Sequence, residues 1–310
     1  MRFSIIIPIY KRLYLEESVR SVVEQSYQDW ELVVVDDCSP ELLETVITPY
    51  LSDNRIHYYK NPQNIGAKNL VKNWNQCLKY CQGDYVICIG DDDRLLPNCL
   101  DELSKLIDEY PDLNVYHTQT EIIDEKGDVV ERLEPRPEKE SAISMIEHRW
   151  KGAKQFVGDF CYLRKHLVSS QGFFDLPYAW GSDDITAFRA ALKNGIANTV
   201  KVGFQYRENQ QSISLSRNDD EKVESVLLQK KWYETTFSLM REQDILPEKE
   251  IRGAEDIMNV FINRLICHHI LRDMQMHGVT AYSRWCRSRK RYGISIITLT
   301  KLFIKSLLVR

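Results

Sequence analysis

Three consecutive aspartates, Asp91, Asp92 and Asp93, are the residues of this sequence best suited to hold a cation. They follow the apolar run Tyr85–Ile89 after one glycine, and Pro97, which can open a helix, comes soon after them. Adjacent carboxylates repel one another, so the run is costly unless a cation neutralises it. Oxygen-only ligands favour Mg²⁺ or Mn²⁺, with phosphate oxygens and water completing the coordination. The alternative is a solvated acidic turn, against which the preceding buried strand argues.

A second acidic pair, Asp36 and Asp37, follows another apolar run, Trp30–Val35. The carboxyl ends of parallel strands lie at one edge of a sheet, so we expect both acidic groups to face one cleft. A carboxylate there can accept a hydrogen bond from a nucleobase N–H group. The structural alternative is a turn built with Ser39 and Pro40.

Apolar runs alternate with helical stripes through the first part of the chain. Strands are expected at FSIIIPI, WELVVVDD, Ile56–Tyr59 and Tyr85–Ile89, with amphipathic helices between them. Strands separated by helices of this length predict right-handed βαβ units and a parallel sheet. We therefore predict an α/β fold in which residues 1–110 form a nucleotide-binding half.

The alternation loosens after residue 110. Strands are expected at Val115–Ile123, Phe160–Leu163 and Thr199–Tyr206, and a helix at Asp184–Leu192. Residues 111–215 are interpreted as an acceptor-binding half of the same domain, and 216–283 as a helical extension because the chain is predicted to be wholly helical from Glu221.

Charge and cysteine content narrow the classes of protein. The net charge is −4, yet no acidic residue follows Asp273, so the basic tail carries +8 and the rest −12. The eight cysteines include no Cys-x-x-Cys pair, which predicts buried free thiols and a reducing cytosol. The run Phe3–Ile9 lacks a cleavage site and is expected to be a strand rather than a signal peptide.

The tail, residues 284–310, combines basic and apolar residues. Its run Ile294–Val309 contains Lys301 and Lys305 and is too short and too charged to span a bilayer. It favours an interfacial helix on an anionic cytoplasmic leaflet, which would make the protein peripheral on the inner face of the plasma membrane. The alternative is a terminal helix packed on the body. Nucleic acid is not expected, because the tail has no recognisable reader and the body is acidic.

Four sequence blocks, in this order, resemble those of family-2 glycosyltransferases with a GT-A fold: SIIIPIY, ELVVVDDCSP, NPQNIGAKN and GDYVICIGDDDRLLP. The resemblance covers about residues 1–215. It implies a Rossmann-like, mostly parallel sheet, a nucleotide-diphospho-sugar donor with UDP as the commonest carrier, and Mn²⁺ or Mg²⁺ at an Asp-x-Asp motif. It further implies an inverting displacement and, with the basic tail, a glycan or polyprenol-linked acceptor, as in bacterial surface polysaccharide biosynthesis.

The resemblance also assigns site residues, position by position. Gly90 stands where the family commonly has the first aspartate of its motif, which leaves the metal ligand undecided. We favour Asp93, with Asp91 and Asp92 supporting it. The remaining donor-binding residues implied are Pro8, Tyr10, Asp36, Asp37, Lys68, Asn69, Asp91, Asp92 and Arg207.

A catalytic base is implied within the block WGSDDITAFR. Asp183, with Asp184 beside it, matches the family's catalytic aspartate, and Ser182 replaces a frequent glutamate. A helix amino terminus is expected to lower the basicity of both carboxylates, and a helix cap is the alternative role. In the block Tyr206–Ser214, Asn209 stands at a histidine position, and Arg207 is expected to meet phosphate unless this segment is only a closing loop.

Two other functions remain open from the sequence. Nucleotidyl transfer shares metal aspartates but calls for a glycine-rich phosphate loop, and PIYKRLYL contains no glycine. A non-catalytic nucleotide- or glycan-binding module would fit the departures at Gly90, Ser182 and Asn209.

Overall fold

The computed structural model describes residues 2–209 and 219–308, which belong to two compact units. The first unit is Met1–Asp175 with Ser182–Gln210, and the second is Leu176–Gly181 with Gln211–Arg310. The boundaries that we expected at residues 110, 215 and 283 separate functional parts rather than these compact units. They stay predictions. All eight cysteines are free.

The first unit is built on a ten-stranded sheet with strand order β3-β2-β1-β4-β9-β6-β10-β5, while β7 pairs with β6 and β8 with β10. The strands are β1 Phe3–Ile9, β2 Trp30–Asp36, β3 Ile56–Lys60, β4 Tyr85–Cys88, β5 Arg94–Leu95, β6 Val115–Ile123, β7 Val129–Arg132, β8 Lys139–Glu140, β9 Phe160–Leu163 and β10 Ile196–Arg207.

Six of these strands, β1, β2, β3, β4, β6 and β10, point the same way, and β9 runs antiparallel between β4 and β6. The predicted mostly parallel sheet is confirmed. Six of the seven β1 residues are buried, because helices cover both faces of the central strands. The ends of β1, β2 and β4 therefore meet at one edge of the sheet.

Helices of the first unit cover the sheet and place loops at this edge. Leu15, Val19 and Val22 form the buried stripe predicted for the first helix. The helices are α1 Leu15–Val23, α2 Glu44–Ile47, α3 Leu70–Leu78, α4 Cys99–Glu109, α5 Ala142–Lys151, α6 Arg164–Ser169 and α7 Ser182–Ala191.

The second unit is helical, as predicted. It contains α8 Asp219–Glu242, α9 Glu248–Ser288 and α10 Ile296–Leu308. Gly278, with φ +55°, interrupts α9, and Trp285 Nε1 beyond the break donates a hydrogen bond to Asp273 Oδ2 at 2.6 Å. Over the described residues, none of the helices has both the length and the apolar character needed to cross a membrane. Val309 and Arg310 of the predicted tail lie outside the described residues.

Candidate active site

The acidic turn after β4 is joined to the loop after β1 by Asp91. Its Oδ2 accepts hydrogen bonds from the backbone N–H groups of Tyr10 and Lys11, both at 2.8 Å. Burial, together with the neighbouring charge of Asp92, raises the pKa of Asp91 to about 6. The two segments that we expected to bind opposite ends of a nucleotide diphosphate thus share one carboxylate.

Asp93 is turned inward and stabilises the backbone of this turn. Its side chain is buried, Oδ1 accepts from Arg207 N at 3.0 Å, and Oδ2 accepts from Gly90 N at 3.2 Å. Burial and the charge of Asp92 raise its pKa well above the usual value. Because both oxygens already accept backbone hydrogen bonds, Asp93 is less suited to bind a metal directly than we expected.

Asp92 is the better-placed metal ligand of the three. It is half-buried, and its Oδ2 accepts a hydrogen bond from Asn209 Nδ2 at 2.6 Å, whereas no residue in the described part of the chain donates to Oδ1. A Cβ atom at Gly90 would lie 2.7 Å from Asp92 Oδ1 and 2.9 Å from Asp93 Oδ2. A side chain at position 90 would therefore require the carboxylates of Asp92 and Asp93 to shift.

The donor set fits a divalent cation that is shared with a ligand. Across residues 2–209 and 219–308, no cluster of three His, Cys, Asp or Glu side chains could hold a metal by itself. The Asp92 carboxylate is a hard oxygen donor, and the amide nitrogen of Asn209 binds one of its two oxygens. Phosphate oxygens and water would have to supply the remaining positions.

Arg207 does not face a phosphate site, contrary to our expectation. Its side chain is 1% exposed, Nε donates to Asp92 O at 2.8 Å, and an Nη atom donates to Glu17 Oε2 at 2.7 Å. The guanidinium also lies over the ring of Tyr14, 4.2 Å from its centroid. Arg207 is therefore a buried tie between the acidic turn and α1. Residues 210–214 of the same sequence block lie outside the described residues.

Asp36 and Asp37 both bind groups of the protein itself. Asp36 is fully buried and accepts from Ser39 N at 2.7 Å and from Tyr58 Oη at 3.0 Å, as the turn alternative predicted. Asp37 Oδ1 accepts from Asn61 Nδ2 and from the backbone N–H of Ile65, both at 2.9 Å. A nucleobase could bind the Asp37 carboxylate only together with the side chain of Asn61 and the backbone N–H of Ile65, which already bind it. The predicted contact with a base stays a prediction.

The other predicted donor-binding residues remain accessible. Pro8 is half-buried at the end of β1, and Tyr10, just after it, is 44% exposed. Lys68 is exposed in the 3₁₀ turn Ala67–Asn69, and Asn69 Oδ1 accepts from Lys72 Nζ at 3.0 Å. The side chains of Tyr10 and Lys68 can therefore meet a ligand.

Asp184 is not available as a base, which corrects half of our prediction at the start of α7. It is 2% exposed, both of its oxygens lie 3.1 Å from Arg149 Nε on α5, and Gln155 Nε2 donates to Oδ1 at 3.0 Å. Because protein donors already bind both oxygens of Asp184, this carboxylate is poorly placed to bind an acceptor hydroxyl.

Asp183 has the properties of a general base. It is half-buried, and burial, then the charge of Asp184, raise its pKa to about 8, although Arg149 and the Asp184 N–H act in the opposite direction. We expected the helix amino terminus to lower its basicity, but desolvation outweighs that effect here. A carboxylate with a pKa in this range can take a proton near neutral pH.

Asp183 lies close to β9, the strand that pairs with β4, and the acidic turn follows β4. Its charge contributes to the raised pKa of Tyr162, a fully buried residue of β9, and it also interacts with Asp159 just before β9. Because β9 runs antiparallel to β4, Phe160 at its start lies beside the carboxyl end of β4. Asp159 is itself buried, accepts from Thr120 Oγ1 at 2.6 Å and has its pKa raised to about 7 by burial.

The sequence alone did not reveal the roles of Glu17, Arg149, Gln155 and Asp159 in this site. Arg149 lies on α5, whose start is marked by Ser141, the side chain of which accepts a hydrogen bond from Ser144 N. That capping pattern could have predicted the helix, but not its ion pair with Asp184.

Comparisons with known proteins show which family and which fold this chain resembles. The sequence profile of Glycosyl transferase family 2 matches residues 4–170. A protein of Escherichia coli K12 named for colanic acid biosynthesis, WcaA, is 40% identical over 100 residues, which are 31% of this chain and 34% of the relative. Another of Bacillus subtilis named for teichuronic acid biosynthesis, TuaG, is 38% identical over 93 residues, 29% of this chain and 36% of the relative. The matched segments thus span about a third of these relatives.

Solved structures show the same fold over the whole chain. Residues 1–349 of S. aureus TarS with UDP-GlcNAc superpose with a TM-score of 0.69 at 16% identity, covering 100% of this chain and 93% of that one. The mannosyltransferase PcManGT of Pyrobaculum calidifontis, with GDP-Man and Mn²⁺, gives 0.51 at 15% identity and covers 99% and 86%. At these identities the likeness concerns the fold, and it confirms the fold class that the sequence predicted.

Proposed function

We propose that this chain, which belongs to glycosyl transferase family 2, transfers a sugar from a nucleotide diphosphate to a hydroxyl of a glycan acceptor with inversion. The observation that carries the proposal is Asp183, a half-buried carboxylate with a raised pKa that interacts with Tyr162 of β9, the strand paired with β4. A nucleotide-binding fold together with a base of this strength suits displacement at a sugar carbon.

In the proposed reaction, Asp183 takes the proton of the acceptor hydroxyl as its oxygen attacks the anomeric carbon. The bond from that carbon to the diphosphate breaks, and the bonding electron pair leaves with the diphosphate. Arg149 holds Asp184 in place beside the base. Asp92, oriented by the side chain of Asn209, would hold Mn²⁺ or Mg²⁺, whose charge, when bound, would stabilise the departing diphosphate.

The proposed donor is a UDP-sugar. Structures of TarS contain UDP-GlcNAc or UDP, whereas the more distant PcManGT contains GDP-Man. In this chain Pro8, Tyr10 and Lys68 are accessible near the ends of β1 and α3, where they can contact the base and the phosphates. Asp37 would act on the nucleotide chiefly by ordering the loop that contains Ile65.

The proposed acceptor is a lipid-linked or growing surface glycan, and the proposed location is the cytoplasmic face of the membrane. The names of WcaA and TuaG refer to the biosynthesis of such polysaccharides. The basic, acid-free segment after Asp273 supports attachment to an anionic leaflet.

The test combines donor binding with turnover. A panel of UDP-, GDP- and dTDP-sugars is screened by thermal shift with and without Mn²⁺, and the best donor is used to follow release of the nucleotide. We expect D183N to bind the donor and to lose at least 100-fold in turnover, as is usual for loss of a general base. We expect D92N to lose the Mn²⁺-dependent part of the shift.

A matched control is D112N, which alters an exposed aspartate outside the site. It should behave as the wild type in both assays. Donor binding with no turnover by the wild-type protein on any acceptor would favour a non-catalytic binding module, and equal turnover by D183N would contradict the proposed base.

A further inference from the structure

Helix α10 has one buried side and one exposed apolar side. On the buried side, Leu299 and Ser306 are fully covered, and Tyr282 of α9 packs on Phe303 with ring centroids 4.7 Å apart. The opposite side carries five large apolar side chains that are 45–79% exposed: Ile296, Ile297, Ile304, Leu307 and Leu308. At 3.6 residues per turn these five occupy about a third of the helix circumference. We call them the α10 apolar face.

Positive charge borders the α10 apolar face. Lys301 and Lys305 are exposed and lie next to it on the helix surface. Arg284 is paired with Asp273 and Arg291 with Glu224. In contrast, the described structure shows no carboxylate partner for Lys301 or Lys305. No acidic residue occurs anywhere in 274–310, so this surface has no negative charge of its own chain nearby in sequence.

We propose that the α10 apolar face docks on an anionic bilayer, with the helix lying along the interface and its lysines at the lipid phosphates. Charge distinguishes a bilayer from a second copy of this chain as the partner of the α10 apolar face. A second copy would place its own lysines near Lys301 and Lys305, and the like charges would repel one another. An anionic leaflet offers an apolar layer for the α10 apolar face and negatively charged headgroups beside that layer for the lysines. The inference deepens the proposed function and rests on its membrane-linked acceptor.

The test is co-sedimentation of the full chain with vesicles of phosphatidylcholine, with and without phosphatidylglycerol. We expect binding to the anionic vesicles that weakens as salt is added. Each neutralised lysine should lower the partition coefficient about five-fold, so K301Q/K305Q should bind about 25-fold more weakly. I304E/L308E, which places charge in the α10 apolar face, should lose at least about ten-fold.

The control is V200E/V260E, which adds the same charges at two other sites, 79% and 70% exposed and outside α10. It should bind vesicles as the wild type does, and all variants should keep the wild-type melting temperature. Unchanged binding by I304E/L308E, or no binding of the wild type to anionic vesicles, overturns the inference. The inference is also overturned if the wild-type protein is a dimer that does not bind vesicles and I304E/L308E is a monomer. In that case a second copy would cover the α10 apolar face.

Failure here and failure of the proposed function are separable. Nucleotide release is measured in parallel with a soluble acceptor and no vesicles. Vesicle binding without any nucleotide release would contradict the proposed function and support the membrane-binding face. Nucleotide release without vesicle binding would support the proposed function and contradict the membrane-binding face.

Discussion

Replacing Asp184 by Asn should make Asp183 a weaker base with a lower pKa. Asp184 raises the pKa of Asp183, and Arg149, which lies 3.1 Å from both Asp184 oxygens, lowers it. The substitution removes the first effect and leaves the guanidinium without its counter-charge, so both changes act in the same direction. Asp159, which also raises the pKa of Asp183, and Tyr162 are unaltered.

The size of the effect follows from the charges involved. An opposite charge within a few ångströms typically lowers a carboxyl pKa by about 1–3 units, and Arg149 is partly exposed, so we expect about 1–2 units. With a pKa of about 8, about a tenth of Asp183 is ionised at pH 7. In D184N that fraction should rise to about one half or more.

The assay is kcat/KM for nucleotide release as a function of pH. The acidic limb of the profile should move down by about 1–2 pH units in D184N, and activity at pH 6 should rise relative to that at pH 8. D183N should remove the limb altogether. Loss of activity at every pH with an unmoved limb in a folded D184N protein would refute the reasoning and would favour Asp184 as the base.

Two further predictions concern stability. Because the pKa of Asp183 is raised in the folded state, its contribution to stability is fully present below the unfolded pKa of 3.8 and is lost as pH rises through about 8. D183N should therefore have a higher melting temperature than the wild type at pH 8 but not at pH 4. R207K should lower the free energy of unfolding by about 2–4 kcal/mol in urea titrations, because a lysine cannot replace the hydrogen bonds to Asp92 O and Glu17 together. The control K72R, at the surface, should change the free energy of unfolding by less than about 0.5 kcal/mol.

The central strands and the position of Asp183 at the start of a helix were predictable from the sequence. FSIIIPI and WELVVVD are continuous apolar runs because both faces of β1 and β2 are covered, and this pattern needs no tertiary information. Asp183 was found at the start of a helix, as expected, although that helix begins at Ser182 rather than at Asp184. Such features depend on neighbours in the sequence.

What could not be predicted depends on distant neighbours. The carboxylate of Asp184 meets Arg149, 35 positions away, and that contact exists only because α5 packs on α7. Likewise Arg207 could equally have bound a phosphate or been buried, and only its placement against Glu17 decides for burial. The pKa of Asp183 was misjudged for the same reason, because desolvation is a property of the packed site and not of a helix terminus.

The bond from Asp91 to the loop after β1 has a consequence for how this protein can change over time. The carboxylate accepts hydrogen bonds from the main-chain N–H groups at positions 10 and 11, which every residue except proline provides. These two hydrogen bonds therefore do not depend on which side chains stand at positions 10 and 11. The side chains of this loop can diversify during evolution while its backbone link to the acidic turn is kept.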